Sequence, residues 1–259
     1  MNTTISTMHR EAFTSPKTLL ILVVVVVLAG CGGDTASSTR PNSTERERSS
    51  TTSTSAVSTS TLVGQTDSST VVAGGTGDIG VLGCSNTAQH VDGYLALSDV
   101  DRLISTPLGG GDFLSWGDPT DQGYDGYWAG LSASVAAGKV VAIWAQLCVR
   151  GKNQTEMTSS DQAAVAHIVD RLREQYGDVT IYMSGINLYE EGYVCRKTGE
   201  NGVAISWELA DWAVAELGVV KGPVTGPLGP GTVDSDGCHL SPAGEELVGA
   251  QLVDWFDAA

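Results

Sequence analysis

From residue 78 onward, short apolar runs alternate with longer helical patterns, and this alternation limits the fold more than any other feature of the chain. "DIGVLGC" (Asp78 to Cys84), "KVVAIWAQLC" (Lys139 to Cys148) and "DVTIYMSGI" (Asp178 to Ile186) are apolar almost throughout and end in turn residues. Such runs fit strands buried on both faces of a sheet. "RLIST" and "GVVKGP" are shorter strand candidates. Between them, "SSDQAAVAHIVDRLREQYG" puts Val165, Ile168, Val169, Leu172 and Tyr176 on one helical face. A Ser at its start can cap this helix and Gly177 can end it. "VAISWELADWAVAELG" places Ile205, Leu209 and Trp212 at helical spacing before Gly218, and a last helix begins at Ser241 with Pro242 in its first position. No internal repeat is visible. The expectation is one α/β domain over residues 76–259 with a mainly parallel sheet covered on both faces. Chemistry in such sheets collects at the carboxyl ends of strands. Here those ends read "GCSNT", "QLCVRG" and "SGINLY".

The chain before this domain has a different character. His9, Arg10 and Lys17 precede "TLLILVVVVVLAG", an apolar run of thirteen residues, short for a bilayer span and suited to a signal-peptide core. The run ends in "LAGC", which resembles a lipobox and implies lipid on Cys31 after cleavage. An ordinary secretory signal with an incidental cysteine is the other reading. Both export the rest of the chain, and the first anchors it to the outer face of a membrane. Residues 32–75 are rich in Ser, Thr and Gly and hold too few large apolar side chains to offset chain entropy, so they read as a disordered spacer.

Charge divides the chain in the same place. Residues 1–73 carry five Lys or Arg against five Asp or Glu, whereas 74–259 carry nine against twenty-five, so the formal net charge of -16 belongs to the domain. That balance argues against nucleic acid as a partner. Beyond Cys31 the cysteines are Cys84, Cys148, Cys195 and Cys238. An even number in an exported domain predicts two disulfides, with three pairings possible. No Cys-x-x-Cys pair exists for a four-cysteine zinc site, and no metal or cofactor is implied.

A serine becomes a usable nucleophile only with a base in hydrogen-bond reach and a third group to hold the base's tautomer. Asp236 and His239, separated by "GC" just before the last helix, can satisfy the second and third requirements within one tight turn. Ser85, at the exit of the first strand, is the candidate nucleophile; the alternative is that it merely caps a helix beginning near Thr87. Cys84 as nucleophile is a rival reading that a disulfide would remove. His90 has no aspartate at a comparable spacing and reads as a solvated loop residue, and His167 as a surface or boundary position. Trp116, Tyr124, Tyr127 and Trp128 crowd one stretch, either as core packing or as the wall of a sugar-binding cleft.

"GCSNT" after the first strand and "DGCHLSPAG" before the last helix resemble the first and last sequence blocks of the SGNH/GDSL hydrolase family, with the order of elements consistent over about residues 77 to 257. The resemblance implies a three-layer α/β/α fold with a flavodoxin-like, mainly parallel sheet of about five strands. It implies Ser85 as nucleophile, His239 as general base, Asp236 as its orienting partner and the Ser85 N–H as one oxyanion donor. Two departures stand out: Gly-Asp-Ser is Gly83-Cys84-Ser85 here, and the third block, Gly-x-Asn-Asp, is absent. For the remaining oxyanion or substrate contacts the sequence offers Gly111, with Gly109 and Gly110 beside it, and the amides of Gln146, Asn153 and Asn187. With the triad formed, all four cysteines lie near one sheet edge; Cys148 and Cys195, taken to follow adjacent strands, form the preferred pair, leaving Cys84 with Cys238. The expected activity is hydrolysis of a small ester or an acylated glycan by a monomer. The two departures also open a second reading, a surface lipoprotein that binds cell-wall or surface glycans with little or no turnover.

Overall fold

A computed structural model describes residues 77–106 and 111–257 of the chain. Its elements run β1 (Asp78–Leu82), α1 (Ser85–Leu97), β2 (Leu103–Ser105), α2 (Phe113–Gly117), α3 (Tyr124–Ser134), β3 (Val140–Leu147), α4 (Ser159–Tyr176), β4 (Thr180–Gly185), α5 (Gly202–Leu217), β5 (Val220–Lys221) and α6 (Pro242–Phe256). The signal segment, Cys31, the spacer and the glycines Gly109 and Gly110 lie outside the described residues. The two short strand candidates both form, as β2 and β5 at the sheet edges.

The five strands make one all-parallel sheet in the order β2-β1-β3-β4-β5. Alternation along β3 shows why helices must cover both faces: Ile143, Ala145 and Leu147 enter one apolar core while Ala142 and Trp144 enter the other. The first core packs α2, α3, α4 and α5 against the sheet, and the second packs α1 and α6. The result is the three-layer α/β/α arrangement that the alternation predicts. Trp116 and Trp128 are almost wholly buried in the first core, with Tyr124 and Tyr127 packed against it, so this aromatic stretch is packing. The cap of α4 is Thr158, whose hydroxyl accepts from the Asp161 N–H, while the Asp161 carboxylate accepts from the Thr158 N–H. This reciprocal capping box takes the place expected for a serine. Among the described residues no helix is long and apolar enough to cross a membrane.

In this strand order the chain departs in opposite directions from β1 and β3, and ligands of such sheets bind in the crevice outside the carboxyl ends at that point. Ser85 follows β1, and the turn that carries His239 leads into α6, on the same face of the sheet as α1. The two helices approach closely because glycines line their contact. A Cβ on Gly93 would strike the backbone carbonyl of Glu245, and one on Gly249 would strike that of Gly93. Val91 and Tyr94 of α1 and Val248, Leu252 and Phe256 of α6 are buried around this contact, each contributing roughly 1.5–3 kcal/mol.

Backbone gives way less readily than a side chain, so Gly93→Ala is expected to part the helices rather than be absorbed, at a cost of about 1–3 kcal/mol. Urea denaturation should report that loss, with an unchanged dependence on denaturant.

Candidate active site

Strand β1 ends at Leu82, and two residues later the chain turns into α1 through Cys84, an extended-backbone N-cap. Trp116 Nε1–H holds the turn by donating to the Gly83 carbonyl at 2.9 Å. Thr87 closes it, since its hydroxyl accepts from the Cys84 N–H at 2.9 Å and its own N–H reaches the Cys84 sulfur. Ser85 is therefore the first residue of the helix and not its cap. The first intrahelical bond from this end runs from the Ala88 N–H to the Cys84 carbonyl, at 3.0 Å. That pattern leaves the N–H groups of Ser85 and Asn86 outside the helical ladder, at the end where the helix dipole favours negative charge.

His239 meets Ser85 from the other side. Its Nε2 is 2.7 Å from Ser85 Oγ, and its Nδ1 is 2.6 Å from Asp236 Oδ2. Because the ionised carboxylate only accepts, the ring proton belongs on Nδ1, which leaves Nε2 to accept from the serine hydroxyl. The three residues expected from the sequence thus form one hydrogen-bonded chain. Asp236 reaches back over its own turn: its Oδ1 accepts from the N–H groups of Cys238 (3.0 Å) and His239 (2.9 Å). Gly237 makes this possible with φ of 73°, a conformation that costs other L-residues roughly 1–2 kcal/mol.

A feature that sequence reasoning missed sits on the same carboxylate. Lys197 Nζ lies 2.6 Å from Asp236 Oδ2, the oxygen that His239 also uses, and 3.2 Å from His239 Nδ1. The Lys197 ammonium, joined by the backbone N–H groups of His239 and Cys238, holds the Asp236 carboxyl far below the usual carboxylate range. Gln89 was missed as well. Its side-chain amide pairs with the backbone of Leu240, donating to the carbonyl at 2.9 Å and accepting from the N–H at 3.0 Å. Asn86 adds a bond from Nδ2 to the Cys238 carbonyl at 3.3 Å. Gln89 is one helical turn from Ser85, a spacing that gives a signal only once the last helix is known to lie beside the first.

Both disulfides bear on this site, and both differ from the pairing expected. Cys84 is bonded to Cys148 and Cys195 to Cys238. The first follows from register: Leu82 of β1 faces Ala145 of the neighbouring β3, so the residues just beyond the two strand ends stand side by side, with Cα atoms 6.0 Å apart. The second arises because Cys195 lies ten residues past the end of β4, on a loop that reaches the histidine turn. Cys84 is thereby removed as a nucleophile. Bridges of this kind persist in oxidising surroundings and fit a protein that works outside the cytoplasm.

A cavity of about 390 Å³ opens beside Ser85 and His239, with Asn86, Asp112, Arg150 and Lys197 among its lining. The amides proposed from the sequence do not line it. Gln146 is buried and accepts from the Thr87 hydroxyl at 2.6 Å, Asn187 is buried and accepts from the Thr225 hydroxyl at 2.6 Å, and exposed Asn153 is not part of the cavity wall. Gly111 is buried against Trp116 and Tyr127, and the cavity edge there is made by its neighbour Asp112. Gly110, as noted, is not among the described residues. At the start of α1, Ser85 and Asn86 line the cavity, and their backbone N–H groups lie outside the helical ladder.

His90 corrects another expectation, since it is wholly buried in α1 with its ring stacked 6.0 Å from that of Trp144. Burial lowers its pKa to about 3, opposed in part by the Asn187 amide. His167 is half-buried, with Nε2 2.7 Å from the Tyr124 hydroxyl. Among the described residues no group of His, Cys, Asp or Glu is arranged to hold a metal ion.

The fold and site together define a class: a three-layer α/β protein with a Ser-His-Asp chain at the carboxyl end of its parallel sheet. Comparison with family models, with curated proteins and with solved structures finds no match to this chain.

Two measurements test this geometry. Peptide mapping without reduction should recover Cys84 linked to Cys148 and Cys195 linked to Cys238, and a Cys148–Cys195 peptide would contradict the register argument. For His90, the native ring stays neutral while the unfolded chain takes up a proton near about 6.5, so stability is present above that pH and is lost as pH falls toward about 3. His90→Phe should flatten the fall in melting temperature between pH 7 and 5.5, a window above the range where ordinary carboxylates titrate.

Proposed function

We propose that the domain is a serine ester hydrolase of the SGNH type, exported and held at a membrane by lipid on Cys31. The observation that carries this reading is the continuous hydrogen-bonded chain Ser85–His239–Asp236 at the mouth of a cavity. Ser85 Oγ attacks the ester carbonyl while its proton passes to His239 Nε2. The carbonyl oxygen gains the negative charge, and the N–H groups of Ser85 and Asn86 at the start of α1 are placed to receive it. The alkoxide leaves with the proton from His239, and the acyl group stays on Ser85. Water then attacks the acyl-enzyme, giving its proton to His239, which returns it to Ser85 as the carboxylic acid is released.

A cavity of about 390 Å³ suits a small acyl group, such as acetyl on a glycan, better than a long chain. The acidic domain surface speaks against a nucleic-acid partner, and the chemistry calls for no cofactor. Asn86 supplies the donor that the missing third block leaves wanting, through its backbone rather than its side chain.

Residues 76–259 should hydrolyse p-nitrophenyl acetate, and Ser85→Ala should lower kcat by about 10³-fold or more at an unchanged circular dichroism spectrum. Equal rates for the two proteins would end the hydrolase reading.

A further inference from the structure

Lys197 pairs with Asp236 in the resting triad, yet it stands where it must oppose the charge that turnover creates. When His239 takes the serine proton it becomes a cation, and an ammonium 3.2 Å from its Nδ1 then opposes that charge. The same ammonium occupies Asp236 Oδ2, the oxygen that should stabilise the imidazolium. An opposing charge of this kind is useful only if it moves during the cycle. The means to move are present: the Lys197 side chain is 54% exposed and lines the cavity where substrate would sit. Its backbone, by contrast, is fixed. The Lys197 N–H donates to the Cys238 sulfur at 3.3 Å, and its carbonyl accepts from the Gly151 N–H at 2.8 Å, so only the flexible stem can swing.

The charges around the cavity indicate what would draw it away. Over the domain, acidic residues outnumber basic ones by twenty-five to nine, yet the cavity lining holds two cations, Lys197 and Arg150, and one carboxylate, Asp112. Asp112 is engaged as the cap of α2, accepting from the Ser115 N–H and hydroxyl. Arg150 is exposed, and its Nε comes no closer than 3.9 Å to Asp112. It also lies two residues along from Cys148, whose bridge to Cys84 keeps that loop beside the nucleophile. A cationic pair in a strongly acidic domain selects for a negative group on the ligand.

We infer that Lys197 couples recognition of an anionic substrate to completion of the triad: a carboxylate on the ester's acyl or alcohol part, held also by Arg150, takes the ammonium from Asp236 and leaves that carboxylate to His239. The inference rests on the hydrolase reading and narrows it to esters that carry a carboxylate or similar oxyanion close to the scissile bond. Lys197 is a recognition and positioning residue, since the groups that exchange protons are Ser85 and His239.

The test compares kcat/KM for p-nitrophenyl acetate and the monoanion p-nitrophenyl hemisuccinate in the wild-type domain, Lys197→Met, Lys197→Arg and Ser85→Ala. The wild type should prefer the anionic ester. Lys197→Met should lose roughly tenfold on it, about the effect of one charge-assisted hydrogen bond, while its rate on the neutral ester rises because Asp236 is freed. Lys197→Arg should keep most of the preference. An unchanged ratio of the two esters in Lys197→Met, or an equal loss on both, overturns the coupling while the hydrolase reading stands. Turnover that does not depend on Ser85 overturns both.

Discussion

Ser85 and His239 are 154 residues apart in sequence and share a hydrogen bond of 2.7 Å. That contact is unforgiving, because neither a serine nor an imidazole can reach more than a few ångströms to make up for a displaced backbone. Much of the surrounding structure keeps the start of α1 and the turn before α6 in register. Gly93 and Gly249 let the helices touch backbone to backbone. Gln89 binds the backbone of Leu240 as a neighbouring strand would, and Asn86 adds a bond to the Cys238 carbonyl. Each disulfide has one end beside a triad member, Cys84 before Ser85 and Cys238 before His239. The bridges fasten both sides of the site to the loops after β3 and β4, and so to the sheet.

The two histidines near Ser85 show how environment divides two rings of the same kind within one small region. His90 lies five residues from Ser85 on the same helix, wholly buried against Trp144, and burial keeps it neutral over the whole range in which proteins of this kind work. Its buried ring packs as an aromatic wall against Trp144. His239 is part exposed, with a carboxylate on one nitrogen and a hydroxyl on the other. Proton transfer needs a partner on each side of the ring, and only His239 has them.

The sheet and the helical faces were legible because the periods of burial are written in the residues: Ile143, Ala145 and Leu147 against Ala142 and Trp144 is a pattern that only a strand covered twice can satisfy. The Asp236–His239 pairing was legible for a different reason, its closure within one turn. What escaped were contacts set by which strands become neighbours. Cys84 pairs with Cys148 because β1 and β3 are adjacent and in register, and nothing in the spacing of the four cysteines carries that information. Lys197 and Gln89 escaped likewise, as ordinary polar residues whose meaning comes from a fold that lays them against a turn 39 to 151 residues away. Gln146 and Asn187 were misjudged in the opposite sense, since an amide at a strand end can face the core as easily as the cavity, and both turn inward to hydroxyls.

The cysteine that stands where the resemblance would put an aspartate acquires a physical explanation from the same geometry. Position 84 is the cap of α1, and its side chain is directed toward the end of β3, where it bonds to Cys148 and receives the N–H of Thr87. A carboxylate there could have capped the helix through hydrogen bonds alone. A half-cystine instead ties the helix start covalently to the end of β3, and it leaves no negative charge at the helix end where an oxyanion would have to form. In a domain already crowded with acidic side chains, that absence favours negative charge beside Ser85. In the proposed hydrolase reading the two departures, in the first and third blocks, are then linked: with the helix end freed of a competing carboxylate and fixed to the sheet, backbone N–H groups would carry the role of the absent amide.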